Sequence, residues 1–367
     1  MKKILCVVGT RPEAIKMAPV ILALQQENWA SVRVLATAQH RHLLDQVLAT
    51  FQIKADIDLD IMRPNQALSA LTARLLQELD KVLLEERPAF VIAQGDTTTV
   101  MATALACFYH HIPFGHVEAG LRTGDIKNPF PEEANRVIAG RLARWHFAPT
   151  ESSRQNLLNE GIAKDQIVVT GNTVIDALLM TAAKDIKTSV KLDSTKRMIL
   201  VTSHRRENFG EPFRNICLAL RTISERDDVQ IVYPVHPNPN VKEVAYEILG
   251  TNSNVILCEP LDYAPFIAMM KQSYLIISDS GGVQEEAPAL GKPVLVLRDE
   301  TERPEAVASG AVKLVGPHYD KIVEFTNLLL DSQNIYNAMV IGESPYGDGK
   351  SAEKIVNTLR SYFTRIK

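Results

Sequence analysis

The sequence has no long apolar run, no surplus of positive charge, few cysteines and no glycine cluster after its first strand-like segment. No stretch approaches the ~20 apolar residues of a membrane-spanning helix, so a membrane role is not expected. The formal net charge is -3 and no basic stripe is visible, which argues against nucleic-acid binding. Cys6, Cys107, Cys217 and Cys258 lie scattered inside apolar segments, none at metal-ligand or redox spacing. They read as small buried hydrophobes in a reducing compartment. The apolar run 4–8 follows Met1-Lys2-Lys3 directly and is too short for a signal peptide, so the expected location is the cytoplasm. Neither a Gly-x-Gly-x-x-Gly fingerprint nor a phosphate-binding Gly-x4-Gly-Lys-Ser/Thr loop is present, which argues against a dinucleotide cofactor and a P-loop. The histidines lack the carboxylate spacing of a metal site. No metal and no cofactor is expected.

What remains is a soluble globular composition, 46% hydrophobic and 23% charged, in a chain of 367 residues that suits two domains. Short apolar runs alternate with longer amphipathic ones. Strands are predicted at 4–8, 32–36, 90–93, 114–116, 145–148 and 166–169, with helices between them, as at 13–26, 68–85 and 98–109. A second series has strands at 198–201, 230–234, 255–257, 275–277, 294–297 and 312–315. Such alternation implies parallel sheets covered by helices on both faces. The expected fold class is α/β, two Rossmann-like doubly wound domains facing a cleft. The polar stretch 184–196 is expected to link them, giving domains 1–180 and 181–350, with a C-terminal helix 351–367 crossing back onto the first.

The most informative stretch is 274–297, YLIISDSGGVQEEAPALGKPVLVL. A strand runs into Ser280-Gly281-Gly282, a helix carries Glu285 and Glu286, and a second strand follows. Adjacent glycines let backbone approach a ligand closely. The free N–H groups and positive end of the helix suit a phosphate or diphosphate. Glu286, one turn in, is placed to reach ribose hydroxyls, so the expected ligand is a nucleoside diphosphate with something attached. The plain alternative is an ordinary strand-turn-helix with surface glutamates.

Four further loops follow predicted strands. Gly9 to Lys16 opens a helix with Pro12 at a favoured first position and offers Arg11 and Lys16 to an anion or sugar. Asp96 sits in GDTTT (95–99), where it could equally be a plain helix cap. Glu118 follows the strand at 114–116, and Glu132 opens a helix fourteen residues later. Asp96, Glu118 and Glu132 can converge on one rim, where crowding would raise one carboxyl's proton affinity and separate a donor from an acceptor. In the second half, Thr202 to Asn208 mirrors the Arg11 loop, and His204 could act as an acid/base or bind a phosphate, with Arg205 or Arg206 beside it and His236 a second candidate.

With these loops in place the chain closely resembles the non-hydrolysing UDP-N-acetylglucosamine 2-epimerases along essentially its whole length. The motifs are GTRPEAIKMAP (9–19), TAQHR (37–41), GDTTT (95–99), GHVEAGLRTGD (115–125), PEEANR (131–136), TGNTVIDAL (170–178), HRREN (204–208), DSGGVQEEAP (279–288) and ERPEA (302–306). The resemblance implies a GT-B-like pair of domains, a homodimer, and interconversion of UDP-GlcNAc and UDP-ManNAc without a cofactor. It implies Asp96, Glu118 and Glu132 as acids or bases and His204 as a partner at the phosphates. It implies Arg11 and Lys16 as substrate contacts, Ser280, Gly281, Gly282, Glu286 and Arg303 as holders of UDP, and Phe266 near the uracil. One departure concerns relatives that need a second UDP-GlcNAc as activator. These carry Gln and Arg where this chain has His42 and Asn65, although Gln39 matches. The competing functions are a GT-B glycosyltransferase using a UDP-sugar donor, the hydrolysing 2-epimerase, and a non-catalytic nucleotide-sugar sensor.

Overall fold

A computed structural model describes residues 1–37, 41–63, 66–340 and 344–365. The chain forms two compact units. The first holds Met1–Ala177 and Tyr346–Lys367, the second Leu178–Pro345. The changeover falls inside the helix Thr173–Ala182. The stretch 184–196 belongs to the second unit, where Gln230 Oε1 accepts the Asp193 N–H at 3.0 Å and Gln230 Nε2 donates to the Asp193 carbonyl at 2.6 Å.

The first unit is built on a seven-stranded parallel sheet. Its strands are β1 (Lys2–Val8), β2 (Ala30–Ala36), β3 (Ile57–Asp58), β4 (Phe90–Gln94), β5 (Phe114–Val117), β6 (Trp145–Ala148) and β7 (Ile167–Val169). They are ordered β3-β2-β1-β4-β5-β6-β7. Central strands read as unbroken apolar runs because both sheet faces are covered. Ile4 to Val8 and Phe90 to Ala93 are at most 1% exposed, each full-size apolar side chain contributing roughly 1.5–3 kcal/mol. The order reverses between β1 and β4, and the loops after those strands lie at the switch point where open α/β sheets bind ligands.

The last helix, Ser351–Arg365, belongs to this unit. Ile355, Val356 and Leu359 are buried, and Phe363 packs on Trp29 and Phe90 with ring centroids 5.7 and 6.2 Å apart. Its entry is pinned at Gly171, whose φ is +90°, and a Cβ there would stand 2.8 Å from Ser351 Oγ. The next residue, Asn172, donates its N–H to the Tyr346 carbonyl at 2.7 Å.

The second unit has a six-stranded parallel sheet: β8 (Arg197–Thr202), β9 (Val229–Pro234), β10 (Val255–Cys258), β11 (Leu275–Ser278), β12 (Val294–Val296) and β13 (Val312–Leu314). The order β10-β9-β8-β11-β12-β13 is again doubly wound, with its reversal between β8 and β11. Its core gathers Ile199, Val201, Phe213, Ile231, Tyr233 and Ile277. Both expected Rossmann-like domains are present. The two-residue strand β3 was not among the predicted elements.

Candidate functional site

Each unit carries polar side chains at its switch point. In the first, β1 ends at Val8 and Thr10 caps the helix Arg11–Gln25. Thr10 and Glu13 form a reciprocal capping box. Glu13 is only 2% exposed. Its Oε2 accepts the N–H groups of Gly9 and Thr10, and its Oε1 accepts the Thr97 hydroxyl at 2.6 Å. Burial above all pushes its pKa up to about 7, against the hydrogen bonds from Thr97, Gly9 and Thr10. Arg11 is half-buried at the helix start.

Glu118 follows β5 immediately and has φ +62°, a conformation that costs a non-glycine residue about 1–3 kcal/mol and concentrates at functional sites. Three side chains hold it. Lys16 Nζ lies 2.6 Å and Asn172 Nδ2 2.9 Å from Oε1, while Gln94 Nε2 donates to Oε2. Lys16, expected as a substrate contact, is therefore engaged with Glu118. Asp96 pairs with Arg136 Nη2 at 2.8 Å. Its proton affinity is raised chiefly by burial, opposed by the Arg136 guanidinium, with the Glu118 charge acting next. Crowding, the cause expected from sequence, is thus secondary to burial.

Glu132 is half-buried at the start of the helix Glu132–Leu142, and its charge also acts on Asp96. Its neighbour Glu133 is the buried one. It accepts the N–H groups of Thr123 and Gly124 at 3.1 and 3.2 Å and lies 3.4 Å from Arg136. The structure therefore brings Lys16, Asp96 and Glu118 together, with Glu132 alongside.

In the second unit the centre is Asp279, fully buried after β11. Its carboxylate accepts the Ser203 hydroxyl at 2.8 Å, the backbone N–H groups of His204 and Arg205 at 2.9 Å each, and Asn208 Nδ2 at 3.2 Å. It thereby folds the loop after β8. The His204 ring stacks on His236, centroids 5.7 Å apart, with Nδ1 3.4 Å from Asp279 Oδ1.

Gly281 opens the helix Gly281–Ala289, whose cap residue Ser280 makes no side-chain capping bond. The first N–H groups of such a helix have no intrahelical acceptor and suit an anion. A Cβ on Gly281 would lie 3.8 Å from Arg205 Nη2 and 3.9 Å from Arg303 Nη2, so two guanidiniums converge on this helix end. One built on Gly282 would lie 3.9 Å from Ser280 Oγ and 4.0 Å from Glu286 Oε2. Arg303 Nε donates to buried Glu285. Two cations and free N–H groups can bind a phosphate, and the nearby Glu286 can accept hydroxyls. Phe266 is half-buried in the first turn of the helix Tyr263–Gln272, which precedes β11. Gln39 and Asn65 lie outside the described residues, as does the side chain of His42.

Glu13, Arg136, Asp279 and Glu285 did not stand out as site residues from sequence. The Thr-x-x-Glu box at 10–13 could have revealed Glu13. Among the described residues no three His, Cys, Asp or Glu side chains are grouped as for a metal ion, and no helix is long and apolar enough to cross a membrane.

A family profile described as UDP-N-acetylglucosamine 2-epimerase matches residues 22–360. A Yersinia pestis protein named UDP-N-acetylglucosamine 2-epimerase is similar, 53% identical over 98% of this chain and 99% of its own. The solved UDP-GlcNAc 2-epimerase of Neisseria meningitidis bound to UDP-GlcNAc is 50% identical, covering 98% of this chain and 100% of its own with a TM-score of 0.86. The solved UDP-GlcNAc 2-epimerase of Methanocaldococcus jannaschii is 35% identical, covering 98% of this chain and 99% of its own at a TM-score of 0.86.

Proposed function

The chain belongs to the UDP-N-acetylglucosamine 2-epimerase family, and from that premise we propose that it interconverts UDP-N-acetylglucosamine and UDP-N-acetylmannosamine by elimination and re-addition of UDP. The observation that carries the proposal is the acid group at the first switch point: half-buried Asp96, with raised proton affinity, beside Glu118, whose carboxylate is paired with Lys16.

The hydrogen on carbon 2 of an N-acetylsugar is barely acidic. Breaking the bond from carbon 1 to the diphosphate oxygen makes it so. UDP leaves with the bonding electron pair, a carboxylate takes the carbon-2 proton, and the glycal has a double bond between carbons 1 and 2. Re-addition of UDP at carbon 1 with a proton delivered to the opposite face of carbon 2 gives the epimer. Two acid/base groups are required, each worth ~10²–10⁴-fold, and Asp96, Glu118 and Glu132 are the residues assigned to supply them.

The departing diphosphate needs preorganised positive charge, typically worth ~10²–10³-fold per group. Arg205, Arg303 and the Gly281 helix end fit that need, with Ser280, Gly282 and Glu286 beside them. His204 joins them at the phosphates, Arg11 and Lys16 contact the sugar side, and Phe266 serves the uracil. On motif resemblance alone rest two further parts, a homodimer and supply of a bacterial surface polysaccharide such as capsule, while a cytoplasmic location rests on the scattered cysteines and apolar pattern of the sequence.

The test is proton NMR of UDP-GlcNAc with the protein in deuterated water, with no acceptor or cofactor added. Expected are UDP-ManNAc and deuterium at carbon 2 of both epimers. Accumulation of free ManNAc and UDP would instead identify a hydrolysing enzyme. Turnover only with an added sugar acceptor would identify a glycosyltransferase.

A further inference from the structure

Asp96 stands in a loop of three residues between the end of β4 and the helix Thr98–Tyr109. Each of the three is held by a buried side chain from a different element. His116, on β5 and 1% exposed, bonds the Gly95 carbonyl through Nε2 at 2.7 Å. Asn135, on the helix Glu132–Leu142 and 5% exposed, donates Nδ2 to the Asp96 carbonyl at 2.9 Å. Glu13, on the helix Arg11–Gln25 and 2% exposed, accepts the Thr97 hydroxyl at 2.6 Å.

We propose that His116, Asn135 and Glu13 are positioning residues of the epimerisation, fixing the 95–97 loop so that the Asp96 carboxyl keeps one location throughout turnover. The proposal rests on the reading of Asp96 as an acid/base group. Gly95 has φ +92°, outside the usual range for side-chain-bearing residues, so its own backbone preference does not define the turn. The bonds from outside do. Burial drives the His116 pKa down to about 4, so near neutral pH the ring is uncharged. The Gly95 carbonyl can only accept, which places the single ring proton on Nε2. A neutral donor holds the turn without adding charge beside Asp96. Glu13 reaches both Thr97 and the N–H groups of Gly9 and Thr10, so it ties the Arg11 loop to the same brace.

Displacement of a reacting group by ~1 Å costs about 10²-fold, and that sets the expected scale. His116→Phe removes the donor at similar volume, and Asn135→Leu removes the second. In the full-length protein each should lower kcat roughly 10- to 100-fold while KM for UDP-GlcNAc stays within about twofold. His116→Gln, which keeps an N–H donor, should recover most of the lost rate. The acid limb of the kcat profile should also move to lower pH in His116→Phe. Asp96 is faced by Arg136, Glu118, Lys16 and Glu132, with Glu13 also coupled to it, and its raised proton affinity comes first from burial, which a loosened loop would relieve.

Unchanged kcat in both apolar variants overturns the inference. So does a loss of rate that follows thermal stability alone, with Gln no better than Phe and the acid limb unmoved. An Asp96→Asn variant assayed alongside separates the two levels. If it retains full turnover, the acid/base reading itself fails. If it is inactive while His116→Phe is normal, only the brace is wrong.

Discussion

Glu118 and Asp279 each stand just beyond the carboxyl end of a strand, β5 one strand out from the first sheet's switch point and β11 directly beside the second's, and each is surrounded by donors. The donors differ in kind. Asp279 receives two backbone N–H groups, a hydroxyl and an amide, and its own backbone carries no positive φ. Glu118 receives the side chains of Lys16, Gln94 and Asn172, on a backbone at φ +62°. A carboxylate held by backbone fixes a loop and cannot let go without unfolding it. One held by flexible side chains can exchange them for a substrate. Similar chemistry thus serves as scaffold in one unit and, in the function proposed above, as a reactive group in the other.

Four substitutions would break or sharpen that contrast. Glu118→Gln should cost the most in activity, about 10²–10⁴-fold in kcat, with the thermal midpoint little changed. A comparable loss of stability would make Glu118 a second scaffold. Asp279→Ala should cost about 3–5 kcal/mol in denaturant unfolding, because four donors lose a buried partner. A stable variant with normal UDP binding would remove Asp279 from that role.

Glu13 lets proton linkage be read. Its pKa is about 7 in the folded chain against an ordinary 4.5, so between those values the folded chain binds more protons and its stability falls as pH rises. Relative to Glu13→Gln, the wild type should therefore lose up to about 3 kcal/mol between pH 5 and pH 8. His116 and His146, lowered to about 4 and about 3 by burial, act in the opposite sense. They are present in both proteins, so the difference isolates Glu13. A pH-independent difference would place the Glu13 proton elsewhere. The smallest effect is expected for Arg205→Ala, about tenfold weaker UDP binding by calorimetry for the loss of one charged hydrogen bond. Unaltered affinity would detach Arg205 from the helix end.

Most of the fold could be read from sequence because fully buried parallel strands announce themselves as uninterrupted apolar runs. The helix Thr98–Tyr109 and the strand Trp145–Ala148 match their predicted limits. β3 escaped because two residues show no periodicity. At the site, Asp96 and Glu118 stood out as acids placed just after strands. Asp279 and Arg136 did not, since their importance lies in what they hold, and a partner 75 positions away leaves no local pattern. Glu132 and Glu133 look alike in sequence, and only burial separates the half-exposed acid from the one locked under Arg136.

The last helix has a consequence for biosynthesis. Residues 178–345 are threaded into the first unit as one long insertion, and Trp29 and Phe90 pack against Phe363 of the last helix. On the ribosome the inserted unit can therefore mature first, while the domain that began earlier waits, greasy side uncovered, for the final turns to emerge. Shortening the chain by even that one element would leave the earlier-born half permanently unfinished.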